Sequence, residues 1–296
     1  MLALTDHLLP LVASVPSPST GTISIGPIQF RAYGLMIALG VIAGVWLIGK
    51  QLEDARLGTR DDASSIAVWG VGAGVIGARA YHVATDWARF SADLASIPKL
   101  WEGGLGIPGG LVAGVAVGVW QARRRGIRPA VALSFGAPAI ALAQSIGRWG
   151  NWFNQELYGR PTELPWALEI DDPTGYPPGT VFHPVFLYES LWNLVLCGVL
   201  LWVQRRFKLA AGRLFAVYLV GYGVGRFWIE GLRIDPAHTF GGLRLNQWVA
   251  LAAVLTGAIY LLVTHGRKWD EPRREFGLHD LAADQSRARE TVEGTA

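Results

Sequence analysis

The chain has 296 residues, of which 51% are hydrophobic and only 17% are charged. A soluble domain typically carries about a quarter charged residues, so this composition excludes an ordinary soluble protein and predicts an integral membrane protein. The formal net charge is only +3, and no basic patch with interleaved aromatic residues indicates a nucleic-acid partner.

Seven apolar runs are long enough to cross the hydrocarbon core of a bilayer as helices, which takes roughly 17 to 25 residues. In chain order they cover about 30 to 49, 64 to 85, 107 to 122, 130 to 147, 184 to 203, 213 to 231 and 246 to 264. Glycines thin the third run and Pro138 interrupts the fourth, although packed membrane helices tolerate both. The predicted fold class is therefore an all-α integral membrane protein with about seven transmembrane helices.

Basic residues are concentrated in alternate loops, and positively charged loops stay in the cytoplasm. One set of loops, together with the C-terminal segment, holds 17 of the 26 Lys and Arg residues. This pattern predicts an N-terminus outside, a cytoplasmic C-terminus, and outward loops at 148 to 183 and 232 to 245. We expect residues 1–29 to form an outward N-terminal arm, 30–264 the membrane domain, and 265–296 a charged, disordered cytoplasmic tail.

Five groups of polar residues lie at the run ends that this orientation places outside. They are FRAYG (30–34), WEGGLGIPGG (101–110), GRWGNWFNQELYG (147–159), HPVFLYES (183–190) and GYGVGRFWIEGLR (221–233). An arginine near the bilayer centre costs about 2.5 to 3.5 kcal/mol on insertion scales, so charge at such depth indicates a functional site by default.

The last of these groups has a polar helical face. A helix turns about 100° per residue, which aligns Tyr222, Arg226 and Glu230, and Arg233 falls on the same face. One alternative is an Arg226–Glu230 ion pair that only holds the bundle together, and Arg148 alone fits a snorkelling arginine. Two arginines at an outward interface instead favour phosphate binding, because the guanidinium fork binds phosphate oxygens bidentately.

Four further side chains have two interpretations each. His183, before Pro184, is more typical of a loop or interface histidine than of a general base. Tyr33 and Tyr188 fit the aromatic belt of a membrane protein as well as a site. The single cysteine, Cys197, lies inside the fifth run, where a small apolar core role is favoured over a nucleophile.

Together, the five groups resemble the prolipoprotein diacylglyceryl transferase family, in its order and spacing, over roughly residues 25 to 264. The pattern G-R-x-G-N-x-x-N-x-E-x-x-G in the third group is long enough to be specific. The resemblance implies transfer of the diacylglyceryl group of phosphatidylglycerol to the lipobox cysteine thiol of a bacterial prolipoprotein, with release of glycerol 1-phosphate.

The same resemblance implies partners, location and site residues. Its partners would be phosphatidylglycerol, the prolipoprotein signal peptide and membrane lipid, with no cofactor, no metal and no nucleic acid. The protein would be multi-pass in the bacterial plasma (inner) membrane, with its active site toward the outer face. By family analogy Arg148 binds the lipid phosphate and Arg226 belongs to the essential set.

The site residues that we expect fall into two overlapping groups. The candidate catalytic residues are Arg148, Arg226, Tyr33, Asn151, Glu156 and Glu230. The candidate substrate-binding residues are Arg148, Arg226, Gly159, Tyr222, Arg233 and His183.

The second group departs from the family pattern at one position. Many family members carry a histidine just before the paired glycines, and this chain has Pro108 there. The resemblance therefore implies no base at that position. Either His183, Glu156 or Tyr33 activates the thiol, or the field of the arginines lowers the thiol pKa enough, and we favour the second.

Other classes of membrane protein fit the sequence less well. A lipid or small-solute transporter would explain the seven runs, but it predicts polar groups along a path to both faces. An intramembrane serine protease would need a G-x-S-x-G elbow, and a metal-dependent phosphoalcohol transferase would need closely spaced aspartates near a helix. Asp171 and Asp172 instead lie in a loop rich in proline and glycine.

Overall fold

The computed structural model describes residues 14–25, 28–99, 106–207 and 209–266. Within it the chain divides into two compact units. Of the described residues, those within 14–44 and 137–266 belong to the first unit, and those within 45–136 belong to the second. Nearly all of the predicted tail, and the first 13 residues of the predicted arm, lie outside the described residues.

In the part of the chain that the structure describes, seven long helices occupy the seven apolar runs. They are α1 (Ala32–Asp54), α2 (Arg60–Thr85), α4 (Ile107–Arg124), α5 (Pro129–Gly147), α7 (Val185–Arg206), α8 (Arg213–Glu230) and α9 (Leu245–Val263). Two short helices, α3 (Trp87–Ala92) and α6 (Trp149–Phe153), and a 3-10 turn at Leu94–Ser96 lie between them.

Five stretches of helix in the described part of the chain are long and apolar enough to cross a membrane. They are Ala32–Asp54, Arg60–Thr85, Pro129–Phe153, Val185–Arg206 and Leu245–Val263. The two remaining long helices have only 18 residues each, and both carry charged side chains. The chain is therefore a helical integral membrane protein.

Among the described residues, three two-stranded antiparallel hairpins add a small amount of sheet to the helices that we predicted. They pair β1 (Thr22–Ile25) with β2 (Ile28–Arg31), β3 (Leu168–Glu169) with β4 (Val181–Phe182), and β5 (Thr239–Phe240) with β6 (Leu243–Arg244). The hairpins lie in the loops that sequence reasoning placed on the outward side.

A small apolar core lies under the β3–β4 hairpin in the first unit. Leu168, Ile170, Phe182 and Phe186 are buried together there. Val15 adds to the edge of β3, where its amide donates to the Ala167 carbonyl at 2.8 Å. The N-terminal arm is thus attached to the edge of this hairpin at Val15.

In the second unit, α2 and α4 approach each other along a seam of glycines. A Cβ added at Gly77 would lie 2.4 Å from the Ala113 Cβ and 2.6 Å from the Gly109 carbonyl oxygen. Small residues at such spacing let helix backbones approach closely in membranes. The N-terminus of α2 is closed by a capping box between Thr59 and Asp62. Arg125 donates to the Asp62 carboxylate at 3.1 Å.

Candidate active site

Two arginines from different parts of the chain meet at one buried carboxylate in the first unit. Glu189, in the first turns of α7, is only 3% exposed. Its carboxylate forms ion pairs with Arg148 Nε and with Arg226 Nη1. Arg148 follows directly after α5, and Arg226 lies in α8. A carboxylate shared in this way holds the two guanidinium groups side by side.

Glu230, the last residue of α8, is the second buried carboxylate of the site. It is 0% exposed, forms an ion pair with Arg226 Nη2 at 2.7 Å, and accepts a hydrogen bond from Arg244 Nε at 2.8 Å. Arg233 Nη1 lies 3.4 Å from the same carboxylate, and Asn246 Nδ2 donates to it at 3.2 Å. Arg226 therefore connects two carboxylates, each of which also binds other arginines.

Asp235 closes this series in the loop after α8. Arg233 donates to it through Nε at 2.7 Å and through Nη2 at 2.9 Å, and Arg244 Nη2 lies 2.9 Å away. Burial alone would raise the pKa of Asp235, but hydrogen bonds from Arg233 and the charges of both arginines lower it below its ordinary value. We call Arg148, Glu189, Arg226, Glu230, Arg233, Arg244 and Asp235 the ion-pair chain.

Arg148 is also linked to a second polar group in and after α6. Its Nη1 lies 3.5 Å from Asn151 Oδ1, a long contact. Asn151 Nδ2 donates to Glu156 Oε1 at 2.9 Å, and Asn154 Nδ2 reaches the same oxygen at 3.3 Å. Arg148, Asn151 and Glu156, which the sequence nominated separately, thus lie in consecutive contact.

The end of α6 explains how Glu156 folds back over its own helix. The Glu156 amide donates to the Asn151 carbonyl at 3.1 Å, and the Gln155 amide donates to the Trp152 carbonyl at 3.2 Å. These two bonds form a Schellman motif, in which the first residue after the C-cap of the helix must be left-handed. That residue is Gln155, with φ of 51°, where glycine is usual and another residue costs about 1–2 kcal/mol.

Gly159 lies where three backbone segments come together. Its amide donates to the His183 carbonyl at 3.0 Å, and it forms an antiparallel bridge with Arg233. A Cβ at this position would lie 2.8 Å from the His183 Cβ and 3.2 Å from the Leu232 carbonyl oxygen. Only glycine fits such a close approach, so Gly159 brings the backbones of His183 and Arg233 together.

The His183 ring is held by aromatic neighbours. Its Nδ1 lies 3.1 Å from the Tyr188 hydroxyl, which also accepts from Trp166 Nε1 at 3.0 Å. Burial lowers the pKa of His183 below its ordinary value, and the charge of Arg160 lowers it further. The imidazole is therefore neutral at neutral pH.

The two candidate tyrosines contact residues beside the ion-pair chain. Tyr33 packs on Gly150, where an added Cβ would lie 2.7 Å from the ring atom Cδ2. The Tyr222 ring stacks on Tyr218 with centroids 5.7 Å apart, and the Tyr218 hydroxyl donates to Gln144 Oε1 at 3.0 Å. Tyr222 is thus connected to the ion-pair chain along α8, in which it lies one turn before Arg226.

One geometric expectation was wrong. We placed Arg233 on the helical face of Tyr222 and Arg226, but α8 ends at Glu230 with Gly231 as its C-cap. The helix stops because the following backbone turns to pair with Gly159 and Arg160, whose amide donates to the Leu232 carbonyl at 2.9 Å. Arg233 contacts Glu230 from this turn rather than from the helix.

Three members of the ion-pair chain, Glu189, Arg244 and Asp235, were not among the site residues that we expected, although Glu189 belongs to the fourth polar group of the sequence. Glu189 was within reach, because an acidic residue at the start of an apolar run is itself a sign of function. Nothing in the sequence marks Arg244 or Asp235 in this way, since both lie in the segment between α8 and α9, outside the apolar runs, where charged residues are ordinary. Their pairing becomes visible only when the loop folds back on the end of α8.

The sequence group WEGGLGIPGG (101–110) lies partly outside the described residues, which resume at Gly106. Pro108 lies in the first turn of α4, in the other unit, and offers no ionisable group. Within the ranges that the structure describes, no three His, Cys, Asp or Glu side chains are grouped to hold a metal ion.

Comparison with known proteins bears on the identity of this site. The sequence profile of the prolipoprotein diacylglyceryl transferase family matches residues 20–263. A phosphatidylglycerol–prolipoprotein diacylglyceryl transferase of Streptomyces griseus is 50% identical over 258 residues, covering 86% of this chain and 78% of the relative. Enzymes of the same name from Streptomyces coelicolor and Cutibacterium acnes are 47% and 45% identical, over 94% and 86% of this chain and 82% and 88% of the relatives. The chain therefore belongs to the prolipoprotein diacylglyceryl transferase family.

Proposed function

We propose that this transferase moves the diacylglyceryl group of phosphatidylglycerol to the lipobox cysteine thiol of a prolipoprotein and releases glycerol 1-phosphate. The observation that carries the proposal is the pair of arginines, Arg148 and Arg226, held together by the buried Glu189. A paired cationic site in a membrane protein suits the phosphate of a lipid head group.

The two arginines have different roles in this proposal. Both terminal nitrogens of Arg226 are engaged, one with Glu189 and one with Glu230, and its side chain is only 12% exposed. The contacts described for Arg148 use Nε and, at long range, Nη1, and its side chain is 24% exposed. Arg148 therefore binds the phosphate directly through its terminal nitrogens, Nη1 and Nη2. Arg226 supplies positive charge while it stays paired with Glu189 and Glu230.

The reaction places its greatest demand on the leaving group. The cysteine sulfur forms a bond to the terminal glycerol carbon of the diacylglyceryl group, and the bond from that carbon to the phosphate oxygen breaks. The bonding electrons leave with glycerol 1-phosphate, so negative charge grows on that oxygen. Cations fixed beforehand stabilise the growing charge more than the ground state, which lowers the barrier.

The thiol proton must also be removed. We propose that the positive field of the arginines lowers the thiol pKa, with His183, Glu156 and Tyr33 as the alternative bases. The pH dependence of kcat/KM in His183→Gln, Glu156→Gln and Tyr33→Phe distinguishes them. If the fall of kcat/KM at low pH disappears in one variant alone, that residue is the base. This result would refute the proposal that the positive field of the arginines is sufficient.

The proposal extends to the topology. We propose seven transmembrane helices in a domain of residues 30–264, an outward arm at 1–29 and a cytoplasmic tail at 265–296, in the bacterial inner membrane. The asymmetry of basic residues supports this orientation, and it puts the active site toward the outer face. In a Cys197→Ala background, a membrane-impermeant thiol reagent should label Asp172→Cys and not Arg124→Cys in intact cells. The reverse pattern would overturn the orientation.

The deciding experiment measures transfer of labelled diacylglyceryl from phosphatidylglycerol to a lipobox peptide by the purified protein in lipid. Arg148→Ala should lose at least about a hundredfold in rate, since a donor to growing negative charge is worth that much. Cys197→Ala and the exposed Arg89→Ala should retain activity, because the nucleophile belongs to the substrate and Arg89 lies in the other unit.

Other outcomes have equally definite meanings. Robust turnover by Arg148→Ala would refute its phosphate-binding role. The absence of turnover by folded wild-type protein, together with lipid movement between leaflets, would favour a lipid transporter instead.

A further inference from the structure

Gln155 adopts a backbone conformation that glycine usually supplies, and its side chain makes three hydrogen bonds there. Its Nε2 donates to the Pro18 carbonyl at 2.9 Å and to Asp171 Oδ2 at 2.7 Å. Its Oε1 accepts from the Asp171 amide at 2.9 Å. Both ends of the amide are thus used, and the left-handed φ aims the side chain away from α6 toward two other segments.

The first of these segments is the N-terminal strap, residues 14–18. Trp152 Nε1, at the end of α6, donates to the Pro16 carbonyl at 3.0 Å. Val15 pairs with Leu168 of β3. The strap therefore runs between α6 and the β3–β4 hairpin, and Gln155 bonds it on the α6 side.

The second segment is the start of the loop between β3 and β4. Asp171 bonds Gln155 through both its carboxylate and its amide, which forms a closed pair of hydrogen bonds between the two residues. Asp172, the next residue, has no hydrogen bond in the described part of the chain. One side chain thus joins α6, the strap and this loop.

What Gln155 holds in place is its neighbour Glu156. The left-handed residue turns the Glu156 amide back to the Asn151 carbonyl, and the carboxylate then accepts from Asn151 and Asn154. A glycine would allow the same turn without fastening it to anything. The three hydrogen bonds of Gln155 are what keep the turn in one place relative to the strap.

We propose that Gln155 is a positioning residue for the transferase, which acts by holding Glu156 against Asn151 and hence beside Arg148. The inference rests on the proposed function, because the position of Glu156 matters only if this group of residues serves the reaction. The strap and Asp171 contribute to the same positioning, because they are the two partners to which the Gln155 side chain is hydrogen-bonded.

The test uses Gln155→Gly, which keeps the left-handed turn and removes only the side-chain bonds. We expect kcat in the transfer assay to fall about tenfold or more, as for other small displacements of reacting groups, with KM for phosphatidylglycerol nearly unchanged. Asp171→Ala should lose part of the rate, and the matched control Asp172→Ala should lose none. The double variant Gln155→Gly/Asp171→Ala should be no slower than Gln155→Gly alone, because both changes break the same link.

A purely structural role gives a different result. It would lower the melting temperature of Gln155→Gly while leaving kcat per folded molecule unchanged, and that outcome would overturn the proposal. Additive losses in the double variant would also overturn it.

Hydrogen exchange separates the failure of this inference from failure of the proposed function. In full-length Gln155→Gly, amides of the strap should exchange faster than in wild type, whether or not the protein transfers lipid. Wild-type protein without transfer activity but with this exchange difference would refute the function and keep the link. Unchanged exchange with active wild type would refute the link alone.

Discussion

The ion-pair chain and the α2–α4 seam bring backbone elements together by opposite means. In the seam, Gly77 and Gly109 have no side chains, and helix backbones fill the space. In the ion-pair chain, long charged side chains from α7, α8 and the following loop fill the space instead. Glycine packing suffices to join two helices in a membrane, so the costlier arrangement points to a demand other than stability.

The difference predicts different consequences of mutation. Removing one member of a buried ion pair leaves its partner charged and unsatisfied, at a cost of about 3–5 kcal/mol. Adding a methyl group to a filled helix contact costs about 1–3 kcal/mol of strain. The first change should affect activity and stability together, and the second should affect stability alone.

The largest effect is expected for Glu189→Gln. This variant leaves Arg148 and Arg226 without their shared carboxylate, so the two guanidinium groups repel each other and separate. We expect the transfer rate to fall about a hundredfold, and the melting temperature to fall as well. Glu163→Gln, at an exposed loop position, is the matched control. A near-normal rate in Glu189→Gln would show that the pairing of the arginines does not matter.

A smaller effect, on stability alone, is expected for Gly77→Ala. Its new Cβ would meet Ala113 and the Gly109 carbonyl, and we expect a loss of about 1–3 kcal/mol in the free energy of unfolding. Gly72→Ala, with nothing within 4 Å of its Cβ, should be neutral or slightly stabilising. Thermal unfolding in detergent measures both, and equal melting temperatures for the two variants would contradict the close packing of the seam.

The smallest effect concerns the outer end of the ion-pair chain. Because the folded pKa of Asp235 is below its unfolded value, its ion pairs stabilise the protein above a pH of about 4. That contribution is lost as the pH falls through the folded pKa. Asp235→Asn should cost about 1 kcal/mol at neutral pH, and the difference from wild type should shrink in acid. A difference that grew in acid would contradict the sign of the shift.

Most of the helical architecture could be predicted from the sequence. Apolar runs such as 184 to 203 and 246 to 264 correspond to Val185–Arg206 and Leu245–Val263, because their length and composition decide their structure locally. The hairpins could not be predicted in this way. The β3–β4 pairing joins residues separated by a loop rich in proline and glycine, and its stability comes from a core that includes Phe186 of α7.

The site was predictable only where its residues lie in apolar surroundings. Arg148 and Arg226 stood out because charge there is costly, and the contact of Asn151 with Glu156 follows from their closeness in the chain. Nothing local marked Arg244, whose role depends on a loop that returns it to Glu230. The left-handed Gln155 was equally hidden, since glutamine has no preference for that conformation.

The composition of the ion-pair chain has a consequence for the order of events in turnover. Its four arginines and three carboxylates, counted without the neighbouring Glu156, give the ion-pair chain itself a net charge of +1. A phosphodiester such as phosphatidylglycerol carries one negative charge and restores neutrality. Glycerol 1-phosphate is a monoester with a second pKa near 6, so it carries close to two negative charges at neutral pH. This is more than the single positive charge of the ion-pair chain. If the ion-pair chain binds the phosphate as we propose, the reaction converts a ligand whose charge the ion-pair chain balances into one whose charge it does not balance, which favours departure of the product. Inhibition by glycerol 1-phosphate should accordingly strengthen as the pH is lowered toward about 6, and inhibition that weakened there would refute this account.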